Sequence, residues 1–286
     1  MNKKALLLFY ICLAACLLLS GFSFGFSDKL EIISTDIFGL GQSKVIAADP
    51  DYVPEMPRTI ISGQIEVKEE IHAESTGPAE EQIAVDLENP RVLLYCTHNA
   101  ETYRPDDGVD KREGYNAGIF TVAERLCEEL ISNGISAILC PTIHDYPDWS
   151  KSYANSLNSI KTMQEKYPSL EVFIDVHRDA PAVPINSTVE KDEQEYAKIM
   201  LVVGSAERIE HPTWEQNHAF AQKIGSLLED KCAGILRGVK VQSGRYNQHI
   251  SSKSILVEMG TNLNSLEQVG NSAVLLAEAL KEILSQ

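Results

Sequence analysis

The chain has 286 residues, 44% of them hydrophobic, enough for one sizeable α/β core with appendages. Its formal net charge of −16 excludes a nucleic-acid-binding surface, which would need clustered lysine and arginine. The charge is uneven: residues 28–89 hold 14 acidic against 4 basic side chains.

The head, MNKKALLLFYICLAACLLLSGFSFGF, sets Lys3 and Lys4 before an apolar run from Ala5 to about Phe26. A helix needs ~20 apolar residues to span a bilayer, and a cleaved signal peptide has a shorter core. The run therefore predicts a retained membrane anchor over residues 1–27, lysines inside and the rest of the chain outside the cytoplasm. A lipoprotein box at Leu13-Ala14-Ala15-Cys16 is the competing reading, disfavoured because the sequence stays apolar after Cys16. Residues 28–89 are acidic and broken by proline, which predicts a largely disordered stalk.

From residue 90 to 286 the pattern predicts one catalytic domain. RVLLYC, ISAILC, LEVFIDVH, KIMLVVG, KVQS and SILVEMG read as strands. Helical spacing covers GIFTVAERLCEELISNG, ending at Gly134, and SYANSLNSIKTMQEKYP, stopped by Pro168. It also covers TWEQNHAFAQKIGSLLEDKCAG, with Thr213 as its cap, and a last helix opened by a Ser265–Gln268 capping box. Strands alternating with helices predict an α/β fold, a mainly parallel sheet with helices on both faces. Such sheets collect ligands at the carboxyl ends of their strands. Cys96, Cys127, Cys140 and Cys232 form no CxxC pair, so a cysteine zinc site is not expected, and the first three sit among apolar residues as buried thiols.

Three strand ends carry the right chemistry. The first ends in His98 and Glu101, the third in His177, and SILVEMG places Glu258 near its end. Two imidazoles and a carboxylate form a zinc ligand set that leaves a fourth position open. A separate carboxylate can serve as general base, and Glu258, held rigidly on a strand, suits that role. Asp175, two residues before His177, is placed to orient it. Each feature has a plainer explanation: a polar loop for His98 and Glu101, a solvated strand end for His177, a salt bridge for Glu258. Their coincidence at three strand ends favours a metal site. His144, after ISAILC, is the main rival ligand; His72, His211, His218 and His249 read as surface or packing residues.

The motifs THNAETY, FIDVHRDAP, VVGSAERIEHPTWEQN, YNQHI and ILVEMGTNLNSLEQV, in this order, resemble the stage II sporulation protein P family over about residues 90–286. The resemblance implies a zinc-dependent N-acetylmuramoyl-L-alanine amidase of endospore formers. Such an enzyme cuts the amide between N-acetylmuramic acid and the L-alanine of the stem peptide, at the sporulation septum during forespore engulfment, with an added endopeptidase activity. It implies His98, Glu101 and His177 as zinc ligands, Glu258 as catalytic glutamate, and partnership with a septal lytic transglycosylase and a membrane localisation protein. Two points depart from the wider pattern. Many members read HTH where this chain has Cys96, and the broader amidases place the ligand glutamate just before the first helix, where this chain has Glu113. Arg178, Arg245 and Asn247 are candidates for gripping peptide or the oxyanion. A metallocarboxypeptidase, which would need an arginine clamp, and a wall-binding scaffold without turnover are the alternatives.

Overall fold

The computed structural model describes residues 85–285. The expected anchor, nearly all of the acidic stalk, Cys12, Cys16 and His72 lie outside the described residues. Among those described, no helix is long and apolar enough to cross a membrane.

In chain order the elements are β1 (Val92–Tyr95), α1 (Arg104–Asp107), α2 (Gly118–Ser132), β2 (Ala137–Leu139), α3 (Ser152–Lys166), β3 (Val172–Asp179), β4 (Thr188–Lys191), β5 (Gln194–Ala197), β6 (Ile199–Gly204), α4 (Trp214–Lys231), β7 (Leu236–Gln242), β8 (Ser254–Thr261) and α5 (Leu266–Leu284). Six strands form one sheet in the order β2-β1-β3-β8-β6-β7, and β4 and β5 form a separate hairpin. Every pairing in the large sheet is parallel except β6 with β8. The predicted mainly parallel α/β sheet is thus present, with one reversal. Between β3 and β6 the chain makes the β4–β5 hairpin instead of a crossover helix. A parallel return requires a long crossover, usually helical, and here β6 comes back antiparallel. The hairpin is absent from the sequence reading because TVEK and QEYA are short, polar and exposed along much of their length.

Helices cover both faces. Alternation along the strands turns Val92, Leu94, Ile174, Val176, Ile255 and Val257 towards the cluster shared with α2, α4 and α5. Leu93, Tyr95 and Phe173 face the other way and pack with Cys140 and with Ile160 of α3. By the same alternation Asp175 and His177 lie on the α3 face with Phe173. Leu126 of α2 is fully buried in the larger cluster. Leu126→Ala is expected to lower unfolding free energy by about 3 kcal/mol, checked by urea denaturation.

Helix ends follow local chemistry. Gly134, just past α2, takes φ +82°. The Ser265–Gln268 capping box is complete in both directions. Thr213 occupies the cap position of α4, but its side chain makes no capping bond; its hydroxyl donates instead to the Gln248 carbonyl at 3.4 Å. All four domain cysteines are buried, free thiols.

Candidate functional site

β1, β3 and β8 run side by side and parallel, so their carboxyl ends emerge together. His177 and Glu258 are register partners on β3 and β8, which places their side chains next to each other on one face. Beyond them the register slips, and Asp179 pairs with Thr261. The slip takes in Gly260 at φ +69°, where a Cβ would come within 2.8 Å of Asn264 Oδ1 and 2.9 Å of Ala197 Cβ, so only glycine fits this bulge.

His98 and Glu101 lie on the turn after β1. Asn99 shapes that turn: its Nδ2 donates to Asn116 Oδ1 and to the Thr142 carbonyl, and its Oδ1 accepts from the His144 amide. The Ala100 amide donates to Asp145 Oδ2 at 2.9 Å. A buried strand therefore ends in polar groups because they tie a turn that carries His98 and Glu101 against β3. Glu101 Oε2 lies 3.8 Å from His177 Nδ1 and accepts from the Arg178 amide at 3.1 Å. The His98 and His177 rings meet edge to face with centroids 5.2 Å apart. His177 is only 4% exposed. Its Nε2 lies 3.0 Å from Asp175 Oδ1, off the line of a good hydrogen bond. Asp175 also accepts from the Thr97 amide and hydroxyl, at 2.9 and 2.7 Å.

The electrostatics reflect crowding away from water. Burial, helped by the His177 charge, pushes His98 down to about 3. Burial also acts to lower His177, but Asp175, Glu101 and Glu258 outweigh it and lift the imidazole to about 10. Burial lifts Glu258 to about 7; Glu101 and Asp179 add to the rise, while His177 and Arg237 oppose it. Burial raises Glu101 as well.

The donor types suit a metal such as zinc. Three carboxylates (Glu101, Asp175 and Glu258) crowd around two imidazoles, and His98 Nδ1 and Glu258 Oε2 are buried without a hydrogen-bond partner. Such an arrangement favours a bound cation over desolvated, unpaired polar atoms. As placed, however, no three His, Cys, Asp or Glu side chains among the described residues converge closely enough to enclose an ion.

The rival residues fall elsewhere. His144 is fully buried and satisfied, with Nδ1 2.7 Å from the Cys96 carbonyl and Nε2 2.9 Å from Ser159 Oγ. Glu113 is exposed and lines a surface cleft with Asp107, Arg112 and Tyr115. Cys96 is buried and burial pushes its thiol up, as a packing residue requires. His211 is buried beside Asn217, and His218 stacks on Trp214.

The expected grip residues are already engaged. Arg178 is 4% exposed, and its guanidinium donates to the carbonyls of Thr102 (2.9 Å) and Asp110 (2.5 Å). It locks the Glu101 loop to β3 and is not free to clamp a carboxylate, so the carboxypeptidase reading loses its best clamp. Asn247, at φ +57°, donates to the Tyr153 carbonyl and Ser156 Oγ, tying the loop before β8 to α3. Arg245 is half-exposed and donates to the Glu210 carbonyl at 3.2 Å.

Two residues at the site escaped the sequence reading. Arg237 is the extra residue where Ile199–Leu236 pairing slips to Met200–Gly238, and its Nη2 reaches Asp179 at 2.7 Å. Trp149 stacks on His98 with centroids 4.8 Å apart and planes 9° from parallel. Neither belongs to a strand-end motif. The only sequence signal for Trp149 was an aromatic in the loop after β2.

A curated relative, Stage II sporulation protein P of Bacillus subtilis (strain 168), is 27% identical over 207 residues. The match covers 67% of this chain and 50% of the relative, so the chain spans about half that relative's length. Among solved structures, the N-acetylmuramoyl-L-alanine amidase AmiC2 of Nostoc punctiforme aligns at TM-score 0.42 and 14% identity, covering 68% of this chain and 98% of that one. The N-acetylmuramoyl-L-alanine amidase from Clostridium difficile 630 aligns at 0.42 and 16%, covering 69% and 96%. The catalytic domain of CwlV from Bacillus (Paenibacillus) polymyxa var. colistinus aligns at 0.44 and 13%, covering 68% and 98%. The profile of Stage II sporulation protein P (SpoIIP) matches residues 46–281, most of the sequence, and the chain therefore belongs to the stage II sporulation protein P family.

Proposed function

We propose that this protein is a zinc-dependent N-acetylmuramoyl-L-alanine amidase that cleaves peptidoglycan during sporulation. The observation that carries the reading is the buried meeting of His98, Glu101, His177 and Glu258 at the ends of β1, β3 and β8, with polar atoms left unpartnered. Family membership supplies the sporulation setting. Action at the septum from an N-terminal anchor, endopeptidase activity, and work beside a lytic transglycosylase and a membrane localisation protein are proposed on that membership alone.

His98, Glu101 and His177 would hold the zinc. When bound, zinc supplies Lewis acidity at the scissile carbonyl and makes water a better nucleophile near neutral pH. Glu258, in its carboxylate form, takes the proton of the attacking water and returns it to the departing amine of L-alanine. Asp175 braces His177, and Arg178 holds Glu101 in place through its backbone amide and its two carbonyl contacts.

The test is digestion of muropeptides from sporulating cell wall with the full chain, read by mass spectrometry. Free stem peptides beginning at L-alanine, lost with chelator and restored by zinc, are the expected result. Stem peptides shortened from the carboxyl end would replace the amidase with a carboxypeptidase. Intact muropeptides with zinc bound would leave a scaffold.

A further inference from the structure

We propose that Trp149 is the positioning residue for His98, holding by ring stacking an imidazole that lacks the carboxylate His177 has in Asp175; this rests on the reading that His98 holds the metal. A metal-binding histidine normally donates its second ring N–H to a carboxylate or carbonyl, which fixes the ring's orientation. His177 has Asp175 beside it at 3.0 Å. His98 has no counterpart: among the described residues, neither of its ring nitrogens makes a hydrogen bond or meets a carboxylate. What holds the imidazole is three rings. Tyr153 and His177 meet it edge-on, at 5.7 and 5.2 Å between centroids. Trp149 alone lies flat against it, at 4.8 Å. A parallel stack constrains ring tilt over the whole imidazole face, where an edge contact bears on one side only.

Trp149 is itself fixed. Asp148 Oδ1 accepts from the Ser150 amide and hydroxyl, and the Ser152 hydroxyl donates to the Trp149 carbonyl, closing a short 3-10 turn around it. The Lys111 ammonium lies 5.4 Å from the indole centroid, and Lys111 is bridged through its backbone to Glu101. The indole thus touches His98 directly and reaches Glu101 through Lys111. It is nevertheless 58% exposed. An indole in that position adds little to the core, so its removal should leave the fold intact while freeing His98 to rotate.

The experiment uses the full chain in a Trp214→Phe background, so that Trp149 is the sole tryptophan emitter. Zinc is titrated against a competing chelator. Trp149→Ala is expected to weaken zinc binding by roughly 10–100-fold, the range for residues that orient metal ligands. Trp149→Phe should recover most of that loss. Zinc should change the emission of Trp149, and the metal-free thermal midpoint should be the same with and without the indole. Should Trp149→Ala fail to fold, the Trp149→Phe affinity and the emission change decide. Zinc affinity within about twofold of the parent in Trp149→Ala, no recovery in Trp149→Phe, or an unchanged emission spectrum would each overturn the proposal. A parent chain that binds no zinc overturns this and the metal reading together. Zinc binding that depends on Trp149 without any wall cleavage overturns only the amidase reading.

Discussion

Glu258→Gln is expected to reduce wall cleavage by about 10²–10⁴-fold, the usual contribution of a positioned general base, with zinc affinity little changed. Glutamine keeps the shape and cannot take a proton. On the proposed mechanism the parent chain should lose rate as pH falls through the Glu258 titration, because only the carboxylate can act as a base. In the metal-free chain that titration lies at about 7, and a bound cation moves it lower. Initial rates on soluble muropeptides between pH 5 and 8 check this, as the variant's residual rate should lack that acid limb. A second consequence follows from linkage. Burial raises the folded-state pKa of Glu258, so the native chain binds this proton more tightly than the unfolded one. Its contribution to stability is full below the ordinary carboxylate range and is lost as pH rises towards 7. The metal-free Glu258→Gln chain should therefore be more stable than the parent at pH 8, by on the order of 1–3 kcal/mol. A carboxylate held in a buried strand lowers stability at the pH where it is charged.

Asp175→Ala is expected to destabilise the metal-free chain by about 3–5 kcal/mol, read by urea denaturation. The carboxylate is 1% exposed and serves Thr97 N, Thr97 Oγ1 and His177 together. Its removal leaves the buried Thr97 amide without its acceptor and a buried imidazolium without its nearest counter-charge, while the Thr97 hydroxyl keeps Ser156 Oγ at 3.0 Å. Asp175→Asn should fall between, since an amide oxygen still accepts from Thr97 but carries no charge for His177. The pH dependence separates the two roles. The raised pKa of His177 contributes stability that is complete below its ordinary value near 6.5. It is lost as pH rises through about 10. The parent should lose stability across that interval, and Asp175→Asn should lose less, because Asp175 is the strongest of the charges that lift His177. Equal pH dependence in both would mean that Glu101 and Glu258 lift His177 without Asp175.

Much of this protein could be read along the chain because local chemistry decided it. The inner strands β1, β3, β6 and β8 carry apolar runs, as burial on both faces demands. The α2 terminus at Gly134 and the Ser265–Gln268 box depend on residues within a few positions of each other, and so does the burial of Cys96, Cys127 and Cys140 amid apolar neighbours. His98, Glu101, His177 and Glu258 stood out because they follow apolar strands, where polar groups need a reason. Tertiary structure decided what depends on distant partners. β6 reverses because a short hairpin replaces the crossover helix, and each strand of that hairpin offers only one or two apolar residues, Val189, Tyr196 and Ala197, too few to announce it. Arg178 and Asn247 looked free in sequence but are taken up by carbonyls far along the chain, at Thr102, Asp110 and Tyr153. His144 and Glu113, equal in kind to the site residues, are separated from it by burial in one case and by exposure in the other. Trp149 gains its role only when the loop after β2 folds over the turn after β1 and sets an indole on an imidazole 51 positions earlier. Residue type and spacing determine which side chains are able to do the chemistry; the packing of distant segments determines which are left free to do it.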